Sequence, residues 1–561
     1  MMTHPTFFIC FSLLASTVLA REITYDFKIS NHRIAPDGFY RNATLVNERY
    51  PGPLITANKG DILKINVKNK LTDPSMLLPT SIHWHGLHQH RNADDDGPAF
   101  VTQCPIIPEA SYTYTIPLGE QTGTYWYHGH LGTQYVDGLR GPIVIYDLED
   151  PHKGLYDIDN EETVLVVGDW YHTSSVAIEQ SGNLTLQRPD SATINGKGRF
   201  DPDKTPANQD TLHTFKVKRG KRYRMRVIND SAIASFRFSV QNHKMKVIAA
   251  DGVSTRPYEV DEFDILPAQR RDFVLEANQQ PGTYWINAPM TNVANKTTQA
   301  LLVYEDDAHS FKAPEGPHRT WAVSEGVIEY WRHGHHSHDS MHTSSKHKLR
   351  SKRQNDPTQV VLDEAKLAPL NNKKPCNPNE AADMTLDLNF GLGQAAGTWA
   401  INNITYKSPA TPTLLNIFQD DRTTDSDFSP SEHTVILPKH KCIEFNIRGV
   451  SNIPIIHPFH LHGHTFSVVQ YGNSTPNYID PPQGDVVGSR DAGVRLRFKT
   501  DNPGPWFLHC HIDWHLVEGL AMVFAEAPEE IKEGSQSVAT DSEWKNLCKN
   551  YDAWAKTAGS N

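Results

Sequence analysis

Apolar and polar residues alternate along many short stretches of this chain. The segments ILKINVK (62–68), RYRMRVI (222–228) and CIEFNIR (442–448) place an apolar side chain at every second position, with proline and glycine between such segments. Successive side chains of a β-strand point to opposite faces, so the pattern predicts strands with one buried face. Few stretches have the longer period of a helix. The chain is therefore expected to be all-β and built from sandwiches.

Three strings along the chain share one arrangement of residues. GTYWYHGH (123–130), GTYWINAP (282–289) and GPWFLHCH (504–511) each combine a glycine turn, an aromatic strand and a polar end. They predict three copies of one β-sandwich unit, although chance similarity in a strand-rich chain is an alternative. Asn287 and Pro289 of the middle copy stand where the other copies have histidines. Neither residue can replace an imidazole ligand, so the middle unit is expected to bind no metal.

The length of the chain also indicates several domains. At 561 residues it is too long for one core, and a length of ~150 residues per domain gives roughly three to four. The predicted divisions are a leader at 1–20, a first sandwich at 21–148, a second at 149–305, a linker at 306–360 and a third sandwich at 361–561. Residues 332–357 of the linker are rich in His, Lys, Arg and Ser, which predicts a mobile surface insert. Metal binding by its histidines and cleavage at Lys352-Arg353 are alternatives.

Charge and the first residues restrict where the protein works. Acidic residues outnumber basic ones by 65 to 54, and without an extended basic face the chain is not expected to bind nucleic acid. Residues 1–20 contain an apolar stretch too short to span a bilayer and end in small residues, which predicts a secretory signal cleaved near Ala20. A retained anchor is the alternative. The mature protein is expected to be extracellular or in the cell wall, with no membrane anchor.

Sequons and cysteines agree with a secretory route. Six N-x-S/T sequons are candidate glycosylation sites: Asn42, Asn183, Asn229, Asn295, Asn403 and Asn473. Cys10 lies within the leader, and four further cysteines could form two disulfides in three alternative pairings: Cys104, Cys376, Cys442 and Cys548. Disulfides persist in oxidising compartments, where a secreted protein would work.

Four H-x-H pairs occur, each within an apolar or aromatic strand: His83/His85, His128/His130, His460/His462 and His509/His511. Residues two apart on a strand project from one face. A single pair could consist of ordinary core or surface histidines. Eight converging imidazoles, however, would repel one another if protonated and would lack partners if buried and neutral. The set therefore predicts bound metal ions.

Cys510 lies between two of these histidines and so faces the opposite side of its strand. His457 is an odd number of residues from the H-x-H pair that follows it, and it too faces the opposite side. With His515 these residues predict a His₂Cys site, the arrangement of a blue-copper electron-transfer centre. Leu520 occupies the candidate axial position and cannot ligate, which predicts a raised reduction potential. His464 would be a surplus ligand.

The motifs HWHG, HGHLG, HPFHLHGH and HCHIDWH resemble, in the same order, the four copper signatures of the multicopper oxidases. Further segments resemble those of fungal laccases: QCPI (103–106), DGLRGP (137–142), TINGKGR (193–199) and NLCKNYDAW (546–554). The likeness covers essentially the whole mature chain. It implies three consecutive cupredoxin-like Greek-key sandwiches and four copper ions, of which one is type 1, one is type 2 and two form a type 3 pair.

The resemblance also implies a ligand set. The type 1 copper would take His457, Cys510 and His515, the type 2 copper His83 and His460, and the type 3 pair His85, His128, His130, His462, His509 and His511. Cys104 would pair with Cys548, as in laccases, which leaves Cys376 to pair with Cys442 by subtraction.

The activity implied by the resemblance is one-electron oxidation of small phenolic substrates by a monomer, with reduction of O₂ to two waters, in pigment formation or in breakdown of lignin and phenols. Asp96 and Asp513 resemble carboxylates that relay protons beside the coupled coppers. Asp190 resembles the carboxylate that accepts a hydrogen bond from the phenol, and His515 would pass electrons through an exposed ring edge. Each aspartate could instead be an ordinary turn, loop or strand-end residue.

Three other functions compete with this interpretation. A ferroxidase would carry an acidic residue just before HPFHLHGH, but SNIPII (451–456) has none. An ascorbate oxidase is favoured slightly by YHGHLG but would usually have methionine at Leu520. A copper-binding protein without turnover would not need the coupled set of histidines.

Overall fold

The computed structural model describes residues 20–201, 204, 210–305, 359–450, 454–532, 538 and 540–558. Strands account for 42% of it and helices for 15%, so the all-β prediction is confirmed. The strands of this described part form six sheets, two in each third of the chain. The predicted leader, apart from Ala20, and the 332–357 insert lie outside the described residues. The exact domain boundaries at 148, 305 and 360 stay a prediction.

The first sandwich consists of two four-stranded sheets with the orders β2-β1-β4-β6 and β3-β8-β7-β5. Its strands are β1 (Glu22–Ile34), β2 (Arg41–Val46), β3 (Ile55–Asn58), β4 (Ile62–Lys70), β5 (Ile82–His85), β6 (Ser111–Pro117), β7 (Gly123–Gly129) and β8 (Arg140–Tyr146). Strand β4 contains the alternating segment ILKINVK, in which the buried positions are Leu63, Ile65 and Val67, which face the core between the sheets.

The second sandwich has a six-stranded sheet, β10-β9-β12-β17-β14-β15, and a five-stranded sheet, β11-β19-β18-β13-β16. Its strands are β9 (Val164–Trp170), β10 (Ser191–Ile194), β11 (Thr214–Val217), β12 (Arg222–Asn229), β13 (Phe236–Val240), β14 (Met245–Ala250), β15 (Val253–Val260), β16 (Glu262–Ile265), β17 (Arg270–Glu276), β18 (Thr283–Pro289) and β19 (Thr297–Tyr304).

The third sandwich repeats this plan with the orders β21-β20-β23-β28-β25-β26 and β22-β30-β29-β24-β27. Its strands are β20 (Met384–Leu392), β21 (Trp399–Ile401), β22 (Thr434–Leu437), β23 (Cys442–Gly449), β24 (His457–Leu461), β25 (Phe466–Tyr471), β26 (Gln483–Gly484), β27 (Val486–Ser489), β28 (Val494–Lys499), β29 (Gly504–Cys510) and β30 (Ala521–Glu526).

The three similar strings occupy equivalent strands, β7, β18 and β29. Each lies antiparallel between two neighbours of its sheet, and one of those neighbours is paired in parallel with an edge strand. The sequence repeat is therefore a structural repeat, as predicted. Its polar end falls at the same end of the sheet in all three copies.

Helices are short, apart from one near the end of the chain. Those in the described part are α1 (Ser175–Ser181), α2 (Thr413–Asp420), α3 (Asp513–Val517), α4 (Pro528–Lys532) and α5 (Ser542–Ala558). Within this part, none has the length and apolar character needed to cross a membrane.

Two disulfides join distant parts of the chain, and both predicted pairings are present. Cys104–Cys548 connects the first sandwich to α5 across a sequence separation of 444 residues, and Cys376–Cys442 closes a shorter loop in the third sandwich. Trp544 of α5 is buried and donates its indole N–H to the carbonyl of Thr102 at 2.9 Å. The end of the chain is thus fixed to the first sandwich, beside the third.

Five of the six sequon asparagines are exposed, but Asn229 is not. Its side chain is 0% exposed, and its amide donates hydrogen bonds to the carbonyls of Ala234 at 2.9 Å and Ile265 at 3.0 Å. A glycan on this nitrogen would remove both bonds and would need space that the core does not have. Asn229 is therefore a structural residue, and its prediction as a glycosylation site is wrong.

We expect glycopeptide mass spectrometry of the purified protein to find no glycan on Asn229. The substitution Asn229→Gln should lower the free energy of unfolding by about 1–3 kcal/mol, because buried groups lose their hydrogen-bond partners. Asn42→Gln, at an exposed sequon on β2, is the matched control and should leave the unfolding midpoint nearly unchanged. A glycan found on most copies of Asn229 would contradict this placement.

Candidate metal centre

The H-x-H pairs lie on two pairs of neighbouring strands. In the first sandwich, β5 and β7 pair so that His83 lies opposite His128. In the third, β24 and β29 pair so that His460 lies opposite His509. Residues opposite each other on paired strands share a face, so each sandwich presents its imidazoles on one side.

The two sandwiches bring these imidazoles together at their interface. The rings of His83 and His462 stack with centroids 3.9 Å apart, and those of His85 and His460 stack at 3.8 Å. The eight imidazoles of the H-x-H pairs form three groups whose ligand atoms lie within 4.8 Å of one another: His83, His85 and His460; His85, His128 and His511; and His130, His462 and His509. Every predicted ligand of the coupled site therefore belongs to one of the groups.

Burial favours the uncharged form of seven of these histidines. It lowers the pKa of six of the imidazoles well below the usual value, and the neighbouring rings lower it further: His85, His128, His130, His460, His462 and His511. For His509 burial lowers the pKa to about 3. Neutral imidazoles offer lone pairs, which is the state that binds metal.

Several ring nitrogens at this interface are buried without a hydrogen-bond partner among the residues that the structure describes. They are His83 Nε2, His85 Nδ1, His128 Nε2, His130 Nε2 and His460 Nε2. In addition, the Nε2 atoms of His462 and His509 lie 3.1 Å apart. Buried polar atoms almost always have partners, so such a concentration of orphaned nitrogens fits metal ions between them.

The opposite ring nitrogens are held by the protein. The backbone carbonyl of Asp96 accepts a hydrogen bond from His83 Nδ1 at 2.7 Å. The carboxylate of Asp96 accepts one from His462 Nδ1 at 2.8 Å. Asp485 holds the other pair of stacked rings. Its backbone carbonyl accepts a hydrogen bond from His460 Nδ1 at 2.8 Å, and its carboxylate accepts one from His85 Nε2 at 3.2 Å. Such partners fix the tautomer and orientation of metal-binding imidazoles. Asp485 is not among the residues predicted from the sequence, because it lies in no recognisable motif.

The predicted His₂Cys group lies on the other side of β29. Cys510 Sγ is 3.6 Å from His457 Nδ1 and 3.7 Å from His515 Nδ1. In a trigonal site, metal–sulfur and metal–nitrogen bonds of ~2.3 and ~2.0 Å would separate these atoms by about 3.7 Å. The three side chains therefore fit one ion. Burial raises the pKa of the Cys510 thiol, so a buried thiolate here needs a cation.

Apolar side chains surround this second site. The ring of Trp399 packs 4.8 Å from His457 and 4.4 Å from His515, and Leu520 is fully buried. His515 itself is 0% exposed. The expectation that its ring edge is exposed is therefore wrong, because Trp399, from a strand far away in the sequence, packs against the ring.

His464, the surplus candidate, lies outside these groups of ligand atoms. Its Nε2 lies 3.0 Å from a carboxylate oxygen of Glu526, which is ion-pair distance, and both side chains are buried. The last histidine of HPFHLHGH is thus part of a buried ion pair of the third sandwich.

Asp513 faces a small cavity beside the coupled imidazoles. The cavity measures about 10 Å³ and is lined by His128, His130, Tyr135, His509, His511 and Asp513, among others. That is room for about one water molecule. The carboxylate is buried, its Oδ2 has no hydrogen-bond partner in the described part of the chain, and burial raises its pKa well above the usual value.

Asp190 lies at the surface, directly before β10. Its side chain is 40% exposed, and one carboxylate oxygen accepts the backbone N–H of His172 at 2.8 Å. Phe39 stacks on the His172 ring at 3.8 Å, and Phe200 lies 4.5 Å from that ring. Both phenylalanines are more than 40% exposed. A partly exposed carboxylate therefore has aromatic surface beside it.

Comparison with known proteins agrees with this geometry. Three multicopper oxidase family models match residues 28–150, 161–307 and 406–530. Among solved structures, the laccase from Botrytis aclada has a TM-score of 0.76 at 28% identity and covers 97% of this chain and 94% of its own. Fet3p, described as a multicopper oxidase that functions in iron import, has a TM-score of 0.76 at 25% identity, with 95% of each chain covered.

Curated proteins are similar over nearly the whole chain. Laccase-1 of Thanatephorus cucumeris is 65% identical and covers 99% of both chains, and Laccase-1 of Agaricus bisporus is 41% identical over 96% of both. This chain belongs to the multicopper oxidase family, as a laccase-like oxidoreductase whose cofactor is four copper ions of types 1, 2 and 3.

Proposed function

We propose that this enzyme oxidises small phenols outside the cell and holds its coppers with the residues grouped above. The type 1 ion would bind His457, Cys510 and His515, the type 2 ion His83 and His460, and the type 3 pair His85, His128, His130, His462, His509 and His511. The observation that carries this proposal is the division of ligand groups between the two sides of one strand, with Cys510 on one side and its neighbours His509 and His511 on the other.

The bound coppers supply one-electron chemistry: four phenols each lose one electron, and O₂ with four protons becomes two waters. The protein keeps the two sites close, because the peptide bonds on either side of Cys510 connect its sulfur to two imidazoles of the coupled site. It also excludes bulk water from both sites, since all the proposed ligands are buried. A dry, rigid site keeps the ligands in one arrangement during repeated electron transfer.

Asp513 and Asp96 are the proposed proton carriers. Burial raises the pKa of both carboxyls, so each can hold a proton at a pH where an exposed aspartate would not. Asp513 faces the small cavity, where it can pass a proton to water. Asp96 touches His83 and His462, so it also orients two of the ligands.

Asp190 is the proposed acceptor for the phenol hydroxyl. A phenol that loses an electron becomes a strong acid, so a carboxylate within hydrogen-bond distance assists the oxidation by taking the proton. The neighbouring exposed rings of Phe39 and Phe200 favour an aromatic substrate over a small ion or a sugar acid. Because His515 is covered, the electron would pass through the side chains packed on it rather than by direct contact.

We further propose that the mature enzyme is a secreted monomer that serves pigment formation or the breakdown of lignin and phenols. The apolar leader, the exposed sequons and the two disulfides support passage through an oxidising secretory route.

Oxygen uptake tests the substrate class. We expect kcat/KM for oxygen uptake to be higher with a phenol than with Fe(II) or ascorbate. The chain carries a carboxylate beside aromatic surface at Asp190, whereas the segment SNIPII, where a ferroxidase would carry an acidic residue, contains no carboxylate. The purified protein should be blue and should bleach on anaerobic reduction. Cys510→Ser should abolish colour and turnover together. A wide preference for Fe(II) would contradict the proposal, and absence of uptake with all three would indicate copper binding without catalysis.

Substitution of Asp190 tests the phenol site. Asp190→Asn should lower kcat/KM for phenols by about 10–100-fold, the equivalent of one hydrogen bond to a charged group. A donor without a hydroxyl, such as ferrocyanide, should be oxidised at the wild-type rate. Asp26→Asn, at an exposed carboxylate on β1, is the control. Equal loss with phenol and ferrocyanide would show that Asp190 has no role in accepting the hydroxyl.

Substitution of Leu520 tests the type 1 site. A thioether at this buried position can approach the copper and stabilise its oxidised form, so Leu520→Met should lower the reduction potential. A fall of at least about 59 mV would correspond to a tenfold change in the one-electron equilibrium constant. Redox titration followed at the blue absorption band measures it. An unchanged or higher potential would mean that Leu520 does not occupy the axial position.

A further inference from the structure

The middle sandwich places one buried cation directly behind the coupled imidazoles. Arg270, at the start of β17, is 0% exposed. Its guanidinium holds both oxygens of the Asp485 carboxylate, with Nη1 2.7 Å from Oδ1 and Nη2 2.6 Å from Oδ2. This is the two-pronged geometry that makes arginine–carboxylate pairs strong and directional.

Asp485 connects this cation to two of the proposed ligands. Its carboxylate accepts from His85 Nε2 and its carbonyl accepts from His460 Nδ1. One ligand comes from the first sandwich and the other from the third, and their rings stack at 3.8 Å. A shift of Asp485 would therefore reorient both imidazoles together.

Arg270 is itself fixed by the other sandwiches. Its Nε donates to the carbonyl of Thr124 on β7 at 3.0 Å, and its guanidinium lies over the ring of Tyr125 at 5.5 Å. The strand that carries His128 thus positions the arginine, and the arginine positions Asp485 of the third sandwich. All three sandwiches meet at this one side chain.

The glycine of the HWHG motif shows how little space surrounds the ion pair of Arg270 and Asp485. Gly86 follows His85 and has a φ of +89°, and a Cβ added there would lie 2.6 Å from Arg270 Nη2 and 2.9 Å from Asp485 Oδ2. The motif thus leaves room for the ion pair next to the ligand.

We propose that Arg270 is a positioning residue for the oxygen-reducing copper cluster, which it aligns through Asp485, His85 and His460. The inference rests on the ligand assignment proposed above. It gives the copper-free sandwich a role in the chemistry, since one of its side chains sets the orientation of a type 2 and a type 3 ligand. Arg271, the next residue, is also buried and pairs with Asp251 and Glu364, but within the described part of the chain it makes no hydrogen bond to Asp485.

Copper retention in purified holoenzyme variants tests this role. Arg270→Gln removes the charge, Arg270→Lys keeps it but offers only one donor group, and Arg271→Gln is the matched control on the same strand. The measurements are copper per chain, the blue absorption band, the type 2 signal in electron paramagnetic resonance and the rate at which a chelator removes copper. Loss of a residue behind metal ligands costs about 10–100-fold in metal affinity or activity.

We expect Arg270→Gln to keep the blue band while its type 2 signal changes and a chelator removes copper about 10–100-fold faster. Arg270→Lys should show an intermediate effect, and it supplies the result if the glutamine variant does not fold. Arg271→Gln should retain copper like the wild type.

Two results would overturn the inference. The first is that both Arg270 variants keep the copper retention and the type 2 signal of the wild type. The second is that Arg271→Gln loses as much copper as the Arg270 variants, which would show a general effect of disturbing this interface. If the wild-type protein itself holds no type 2 copper, the ligand assignment fails, and the inference fails with it. A wild-type protein with four coppers and unaffected Arg270 variants would overturn the inference alone.

Discussion

The structure depends on the burial of imidazole and thiol groups in a β framework. Eight imidazoles lie at the interface of the first and third sandwiches, and several of their nitrogens have no hydrogen-bond partner within the described ranges of the chain. Each unsatisfied buried polar group costs about 1–3 kcal/mol, so this interface is unfavourable without cations. Bound metal ions remove that cost, which couples copper binding to the docking of the two sandwiches.

Much of this arrangement could be predicted from the sequence, because strand geometry is local. The two-residue period of an extended backbone is enough to separate Cys510 from its neighbours and to place each H-x-H pair on one face. The similar strings at β7, β18 and β29 also indicate which sandwich lacks ligands. These predictions needed no knowledge of how the sandwiches dock.

Other features depend on contacts between distant segments and left no local signal. Asp485 holds two ligands, yet it lies in a stretch without a periodic pattern or a recognisable motif. Trp399 covers His515 from another strand, which is why the expected exposure of that ring is wrong. Asn229 matches a sequon, but its burial and its hydrogen bonds inside the second sandwich exclude it as a glycosylation site. Each of these outcomes is set by tertiary packing.

The register of β29 explains the arrangement of the two proposed copper sites. The strand is buried along its whole length and paired on both sides, with β24 and β30. A slip of one residue would exchange its faces and move Cys510 to the coupled site, so the register must be fixed firmly. Gly463, which follows the His460/His462 pair at the end of β24, contributes to this, because a Cβ there would lie 2.3 Å from the Trp506 ring of β29. Gly463 and Gly86 both follow a ligand pair and both have positive φ. The glycine in each motif therefore allows close packing against a neighbouring element, whereas the histidines are the proposed copper ligands.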